Sequence, residues 1–170
     1  MKKYLLFVLG LFLLVGCSSK NPQLDTVKRI DLKKYLGTWY EIARYEHSFE
    51  KDCKNVTATY SLKENNEIKV INKCTNSINN KTKEAIGSAY STDETNTKLK
   101  VSFFWPFYGD YWILDIDNDY TYALIGEPSR KYFWILSREK QLSSNLKKEI
   151  LNKLPNYGYD TKSLIWTIQE

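Results

Sequence analysis

Alternation of apolar and polar side chains with period two runs through most of the chain after residue 37 and predicts strand after strand. Residues 56–62 show the pattern most clearly, because four apolar side chains there alternate with three hydroxyl side chains. Consecutive strands with short connections favour an antiparallel meander, and closing the meander into a barrel removes both exposed edges. The predicted strands are 38–45, 56–62, 68–72, 84–90, 99–104, 111–116, 120–125 and 132–138.

One segment near the C-terminus has helical periodicity instead. Residues 143–154 carry four aliphatic side chains on one face, Ser143 or Ser144 is suited to cap the helix, and Pro155 ends it. Residues 164–168 then form one more short strand. The sequence therefore predicts an all-β fold in one domain over residues 31–170. Its architecture is an eight-stranded antiparallel up-and-down barrel with one C-terminal α-helix and a short final strand.

The N-terminal residues have the composition of an export signal. Lys2 and Lys3 precede an apolar stretch over 4–15, which is shorter than the roughly 20 residues that span a bilayer. The sequence Leu14-Val15-Gly16-Cys17 resembles the lipobox of bacterial lipoproteins. That resemblance implies removal of residues 1–16, acylation of Cys17 and a tether over 17–30. A plain signal peptide with a chance cysteine is the alternative.

Composition and charge exclude several classes of function. The 25 Lys and Arg residues are interspersed with the 20 Asp and Glu residues, so the clustered basic stripe typical of nucleic-acid binding is missing. His47 is the single histidine, which excludes multi-histidine metal sites and catalysis by several histidines. It lies in a predicted loop, where we expect a solvated side chain. No metal or cofactor is predicted.

Three motifs, in order, resemble those of the lipocalin family. Residues 37–40 are similar to the Gly-x-Trp signature of the first strand, 118–120 to the second motif, and 132–138 to the last barrel strand with its arginine. Together with the lipobox, they fit the bacterial lipoprotein branch of the family. The resemblance implies that Trp39 fills the closed end of the barrel, Arg138 lies across its ring, and residues 31–36 form a helical plug beneath. The family motif residues, expected to be structural, are Gly37, Trp39, Asp119, Tyr120 and Arg138.

The resemblance also implies a function. A lipophilic molecule, a fatty acid or a lysophospholipid, is expected to bind inside the barrel without being chemically changed, for lipid storage or transport or for envelope maintenance. The acyl anchor would bind the outer membrane, with the barrel facing the periplasm or the cell surface, and a homodimer is left open. Alternation and family parity together give these ligand-binding candidates: Ala58, Tyr60, Phe103, Tyr111, Ile113, Tyr122 and Trp134.

Two alternative functions follow from the same sequence. A lipocalin-fold enzyme would need a cysteine, or a carboxylate such as Glu41 with a shifted pKa, inside the cavity. A structural lipoprotein would have a filled barrel and no ligand. Small residues in the fourth strand, Ala85, Gly87 and Ala89, share one face and would leave room if that face points inward.

Cys53 and Cys74 flank the predicted hairpin turn at residues 65–66. Export into an oxidising compartment favours a disulfide between them. Direct opposition across that turn would instead pair residue 53 with residue 78, so a bridge requires a bulge or a loop that folds back. Two free thiols are the alternative.

Residues 103–108 contain five aromatic side chains in six positions. They lie in the loop predicted after the fifth strand, at the open end that the family resemblance implies. Three interpretations stay open: a rim that dips into a membrane, an apolar lid over the ligand, or a loop whose aromatic side chains pack on each other.

Overall fold

Eight antiparallel strands close into a barrel in the computed structural model, which describes residues 23–170. Each strand pairs with the next along the chain, and β1 pairs with both β8 and β2, so the eight strands form a closed ring. The predicted fold class is confirmed. The strands are β1 (Gly37–Arg44), β2 (Cys53–Leu62), β3 (Ile68–Asn76), β4 (Thr82–Ser91), β5 (Lys98–Phe104), β6 (Phe107–Ile116), β7 (Tyr122–Gly126) and β8 (Phe133–Ser137).

Two α-helices and a ninth strand lie outside the barrel wall, and three short 3-10 helices occur at Ser48–Glu50, Leu154–Tyr157 and Thr161–Ser163. A short helix, α1 (Leu32–Tyr35), precedes β1, and the Asp31 carboxylate caps it by accepting from Lys33 N. Helix α2 (Ser144–Lys153) begins after Ser143, whose hydroxyl accepts from Leu146 N at 3.3 Å. A two-residue strand, β9 (Ile165–Trp166), pairs with β1.

The predicted signal peptide over 1–16 and the acylation site Cys17 lie outside the described residues. Within residues 23–170, no helix is long and apolar enough to cross a bilayer.

Two separate apolar clusters lie on opposite sides of the barrel wall. The inner cluster fills the closed end of the barrel, and the outer cluster packs the wall against α2. Strand β7 contributes to both, because Ala123 and Ile125 face inward while Tyr122 and Leu124 face α2. Such a strand is apolar on both faces, so its sequence does not alternate.

A bulge in β1 changes which side chains face inward. The pairing of β1 with β8 shifts between Glu41 and Ala43, so that Ile42 and Ala43 both join the outer cluster. Glu41 and Arg44 consequently both lie opposite inner-cluster positions of β8. Strict alternation over residues 38–45 predicts that Trp39, Glu41 and Ala43 share one face; for Ala43 this prediction is wrong, because the bulge reverses the alternation after Glu41.

Cys53 and Cys74 form a disulfide that joins β2 to β3. The pairing register shifts between Lys54 and Thr57, and Asn55 within this bulge has a φ of 52°. This is the bulge that the sequence requires for a bridge between these two positions. Cys53 pairs with Asn76 in the ladder, so Cys74 lies diagonally opposite it, with the two Cα atoms 5.5 Å apart.

Candidate ligand-binding site

The closed end of the barrel is built around Trp39 and Arg138. Trp39 is fully buried, and its Nε1 donates to the carbonyl of Tyr35 at 2.8 Å. The Arg138 guanidinium lies 3.7 Å from the centre of the Trp39 ring, a cation–π contact. Gly37 has a φ of +95°, and a Cβ there would meet Arg138 Nη1 at 3.4 Å. These residues form the barrel floor.

The second lipocalin motif, residues 118–120, helps to hold the closed end of the barrel. Its contacts come from Tyr120 and from Asp117, the residue just before the motif. The Tyr120 hydroxyl accepts from Asp31 N at 2.8 Å, which ties the turn after β6 to the start of α1. Asp119 is exposed. Asp117 holds the turn instead, because its carboxylate accepts from Thr121 N at 2.6 Å and from Tyr122 N at 3.1 Å. Tyr120, with a φ of 58°, belongs to this turn and not to β7.

Three tyrosine hydroxyls meet above the floor. The Tyr111 hydroxyl lies 2.7 Å from that of Tyr35 and 2.8 Å from that of Tyr60. Burial raises the pKa of all three phenols, so they stay neutral. Two bonds among three hydroxyls use two of the three protons, which leaves one proton to donate elsewhere.

The upper half of the barrel is an open cup. Ala89 and Tyr111 both contact the inner cluster. Side chains an even number of residues apart along a strand share a face, so Ala85, four residues from Ala89, and Gly109, two residues from Tyr111, also face inward. Both are nevertheless exposed to solvent. Inward positions that remain accessible show that side chains do not fill this half of the barrel completely. The other accessible inward positions include Ala58, Gly87, Val101 and Trp134.

Most of the predicted ligand-binding residues lie on this inner surface. Tyr60 and Ile113 are buried in the inner cluster, and Ala58, Tyr111 and Trp134 pack against it while partly exposed. Phe103 is 39% exposed at the rim. Its ring lies over Gly87, where a Cβ would come within 2.8 Å of Phe103 Cδ1.

The predicted position of Tyr122 inside the barrel is wrong. Tyr122 faces α2, where its hydroxyl donates to Asp115 Oδ2 at 2.9 Å and accepts from Lys153 Nζ at 2.9 Å. Burial raises its pKa to about 12. Both faces of β7 are apolar, so periodicity alone does not distinguish the inner face from the outer one.

A buried polar cluster lies beneath the first loop of the open end, and the sequence reasoning considered only Glu41 among its members for a place inside the barrel. Arg44 is its centre: Nη1 lies 3.2 Å from Glu41 Oε1, and Nη2 donates to the carbonyl of Glu50 at 2.9 Å. Glu41 also accepts a hydrogen bond from the hydroxyl of Thr167. A glutamate and an arginine within an apolar strand are the sequence signal that could have revealed it.

Burial perturbs the titration of this cluster. Desolvation, then the nearby charge of Glu50, raise the pKa of Glu41 to about 8, and the pKa of Glu50 is also raised by burial. Desolvation lowers the pKa of His47 to about 4. The expectation of a solvated His47 is wrong: it is 7% exposed, and its ring stacks on Phe49 at 3.8 Å.

The same cluster seals a seam in the barrel wall. The pairing of β1 with β2 ends at Tyr40 and Thr57, and the chain after β9 covers the gap beyond it. Gln169 Nε2 donates to the carbonyls of Glu41 and Val56, both at 2.8 Å, and so bridges the two strands. Glu41 is 2% exposed, and the disulfide leaves neither bridged cysteine as a nucleophile. The geometry therefore fits a role of this cluster in closing the barrel wall.

Within residues 23–170, no group of three or more His, Cys, Asp or Glu side chains could hold a metal ion.

A barrel with eight strands, a plugged floor and an open cup defines a class of proteins that hold one small molecule in their interior. Residues 30–169 match the family described as a lipocalin-like domain, and the chain belongs to the lipocalins. It is 45% identical over 161 residues to outer membrane lipoprotein Blc of Escherichia coli (strain K12), with 93% of this chain and 91% of that protein covered.

Other relatives extend the comparison. Outer membrane lipoprotein Blc of Citrobacter freundii is 44% identical, with 95% of this chain and 93% of that protein covered. Apolipoprotein D of Macaca fascicularis is 34% identical, with 94% and 85% covered. The bacterial relatives place this chain among the outer membrane lipoproteins.

Solved structures show the same fold at low sequence identity. Insecticyanin from the tobacco hornworm Manduca sexta superposes with a TM-score of 0.71 at 22% identity, covering 86% of this chain and 85% of that one. The cockroach allergen Per a 4 superposes with a TM-score of 0.68 at 22% identity, covering 88% and 96%.

Proposed function

We propose that this lipocalin binds a fatty acid or a lysophospholipid, with the acyl chain in the cup and the polar head at the open end. The observation that carries the proposal is the accessible inner surface of the upper barrel. Ala85 and Gly109 expose inward-facing positions to solvent, although the floor just below them is tightly packed. Unoccupied room above a packed apolar floor suits a flexible apolar chain.

Desolvation supplies the binding energy in this proposal. Each methylene moved from water into the cup contributes about 0.8 kcal/mol, so an acyl chain outweighs any single polar contact. Trp134 offers a broad apolar surface on the wall.

The cellular role follows from where the ligand is held. Acylation at Cys17 would keep the barrel at the outer membrane, where acyl lipids are the abundant lipophilic molecules. Storage or transport of such lipids, or maintenance of the envelope, is the role that we propose. The buried, hydrogen-bonded state of Glu41 favours binding without chemistry over the enzymatic alternative.

The test combines ligand identification with binding. The full acylated protein is purified, a sample is extracted with organic solvent, and the extract is analysed by mass spectrometry. A fluorescent fatty acid is then titrated into the wild type and into two tryptophan variants. One is Trp134→Ala on the inner wall; the matched control is Trp112→Ala, whose side chain packs against the outer cluster.

We expect one class of acyl lipid in the extract and saturable binding of one probe per barrel. The dissociation constant should rise about tenfold or more in Trp134→Ala, a loss of about 1.4 kcal/mol, and stay unchanged in Trp112→Ala. Failure of the wild type to carry or bind acyl lipid would overturn the proposal in favour of a structural lipoprotein. Equal binding by Trp134→Ala and the wild type would remove Trp134 from the site.

A further inference from the structure

The hairpin between β5 and β6 exposes an aromatic tip at the open end of the barrel. Phe104 is 81% exposed, Trp105 is 82% exposed and Phe107 is 76% exposed. Phe103 and Tyr108 flank them at 39% and 42%. The tip is therefore neither a lid packed on the cup nor a loop with its own apolar core. Three large aromatic side chains are thus exposed to solvent side by side. Exposed apolar patches of this kind are typical of interaction sites.

Other apolar side chains lie exposed in the loops of the same end. Phe49 in the loop after β1 is 58% exposed, Ile78 in the loop after β3 is 76% exposed, and Tyr132 in the loop before β8 is 40% exposed. All four loops that surround the cup therefore present an apolar or aromatic side chain.

The hairpin loops at the two ends of the barrel differ in charge. The three hairpin loops at the closed end, residues 63–67, 92–97 and 117–121, contain six carboxylates and one lysine. At the open end, Lys51, Lys81 and Lys131 are exposed, against the exposed acids Glu46 and Asp52 of the first loop. An anionic lipid surface therefore favours the open-end loops over the closed-end hairpin loops, beside which Lys33 and Lys34 of α1 are the exposed cations.

The length of the chain before the barrel permits the open end to face the membrane that holds the anchor. Gln23 lies beside Asp115, with which it lines one surface depression. Asp115 is eight residues along β6 from Phe107 at the rim, which is about 20 Å along the axis of a barrel with tilted strands. The six residues from Cys17 to Gln23 reach about 20 Å when extended. An acyl group on Cys17 therefore reaches the plane of the rim.

We propose that the open end docks on the lipid bilayer that carries the acyl anchor, with Phe104, Trp105 and Phe107 inserted at its interface. Aromatic side chains favour the interface between headgroups and acyl chains, and the surrounding lysines suit lipid phosphates. Docking faces the cup toward the bilayer, so an acyl chain passes between membrane and barrel without crossing bulk water. This orientation stands whether or not the proposed ligand is correct, because it is argued from the rim and from the length of the tether.

The test measures where Trp105 lies in the membrane-bound protein. The full acylated protein is reconstituted into vesicles of phosphatidylethanolamine and phosphatidylglycerol, with and without brominated acyl chains that quench tryptophan on contact. Iodide serves as the quencher from water. The contribution of Trp105 is the difference between the wild type and Trp105→Phe, which keeps an aromatic ring at the tip. Trp112→Phe, on the outer wall, is the matched control.

A third variant moves the reporter to the opposite end. Trp105→Phe/Glu94→Trp places a tryptophan in the closed-end loop 92–97 while keeping the number of tryptophans constant. We expect bromolipid to quench the Trp105 contribution and to leave Trp112 and the new residue 94 reporter largely unquenched.

Two results would overturn the proposal. Trp105 quenched by iodide but not by bromolipid would mean that the tip stays in water. Trp105 quenched by neither would mean that a protein surface, such as a second copy of this chain, covers the tip.

Discussion

The guanidinium of Arg138 lies over the Trp39 ring, with its Cζ 3.7 Å from the ring centre, and also holds the chain that leads into β1. Its Nη2 lies within hydrogen-bond distance of the carbonyls of Lys34, Tyr35 and Leu36, and its Nη1 donates to the carbonyl of Thr38. One side chain thereby fixes the floor and the plug of the barrel together. The two residues sit at opposite ends of the chain's barrel segment, so this contact forms only when the barrel has closed.

Replacing Arg138 by lysine tests the guanidinium and not the charge. Lysine keeps the cation but loses the planar fork that reaches several carbonyls while stacking on indole. We expect Arg138→Lys to lower the free energy of unfolding by about 2 kcal/mol, measured by urea denaturation. An unfolding midpoint unchanged from the wild type would show that charge alone holds the floor.

Removing the indole itself should cost more. Trp39 is fully buried, so Trp39→Ala leaves a cavity in the floor, and we expect a loss of about 3–5 kcal/mol in thermal or urea unfolding. Trp105→Ala is the matched control, because that tryptophan is 82% exposed and its loss should leave stability nearly unchanged. Similar destabilisation by both substitutions would contradict the floor assignment.

The buried acid Glu41 should make stability depend on pH. Its pKa of about 8 lies above the ordinary 4.5, so the folded chain binds this proton more tightly than the unfolded chain. The resulting stabilisation is complete below about pH 4.5 and is lost as pH rises through about 8. Between pH 6 and pH 9, roughly, we expect wild-type stability to fall by about 1 kcal/mol or more relative to Glu41→Gln. The measurement is urea unfolding across that range.

The control for this pH dependence is Glu46→Gln, an exposed position in the neighbouring loop. Its stability should follow the wild type at every pH. A wild type and a Glu41→Gln variant with parallel pH profiles would show that Glu41 ionises normally.

The disulfide between Cys53 and Cys74 should stabilise the upper barrel. It closes a loop with a sequence separation of 21, for which chain entropy predicts a contribution of about 3 kcal/mol. Dithiothreitol should therefore lower the melting temperature of the wild type. The double variant Cys53→Ala/Cys74→Ala should melt at the lower temperature with or without the reductant. A wild type whose melting is insensitive to full reduction would contradict this.

The strands and the barrel could be predicted from the sequence because most strands have one polar and one apolar face. The predicted orientation of individual side chains was wrong where a strand is apolar on both faces or contains a bulge. Strand β7 is apolar on both sides, so alternation placed Tyr122 inside although it contacts α2. In β1, the bulge after Glu41 inserts one residue, and no local pattern announces it.

The site was only partly predictable for a different reason. The inward orientation of Ala58 and Trp134 could be predicted from the alternation of faces along a strand, which depends only on neighbouring residues. The polar cluster depends on residues far apart in the chain, since Thr167 reaches Glu41 only after β9 has paired with β1. The burial of His47 likewise requires the folded loop and the contact with Phe49. Sequence periodicity carries none of that information.

Binding of an acyl chain inside the cup is the central claim, and two adjacent residues test it most directly. Ala85 faces the open cup and Ile86 faces outward, and both are exposed. Ala85→Phe would place a ring in the open cup without overpacking the core, because Ala85 is exposed. Ile86→Phe places the same ring outside the barrel. The measurement is titration of a fluorescent fatty acid into both variants, after their melting curves have been matched to the wild type. We predict that Ala85→Phe weakens binding at least about tenfold and that Ile86→Phe binds like the wild type; equal binding by both would contradict the account.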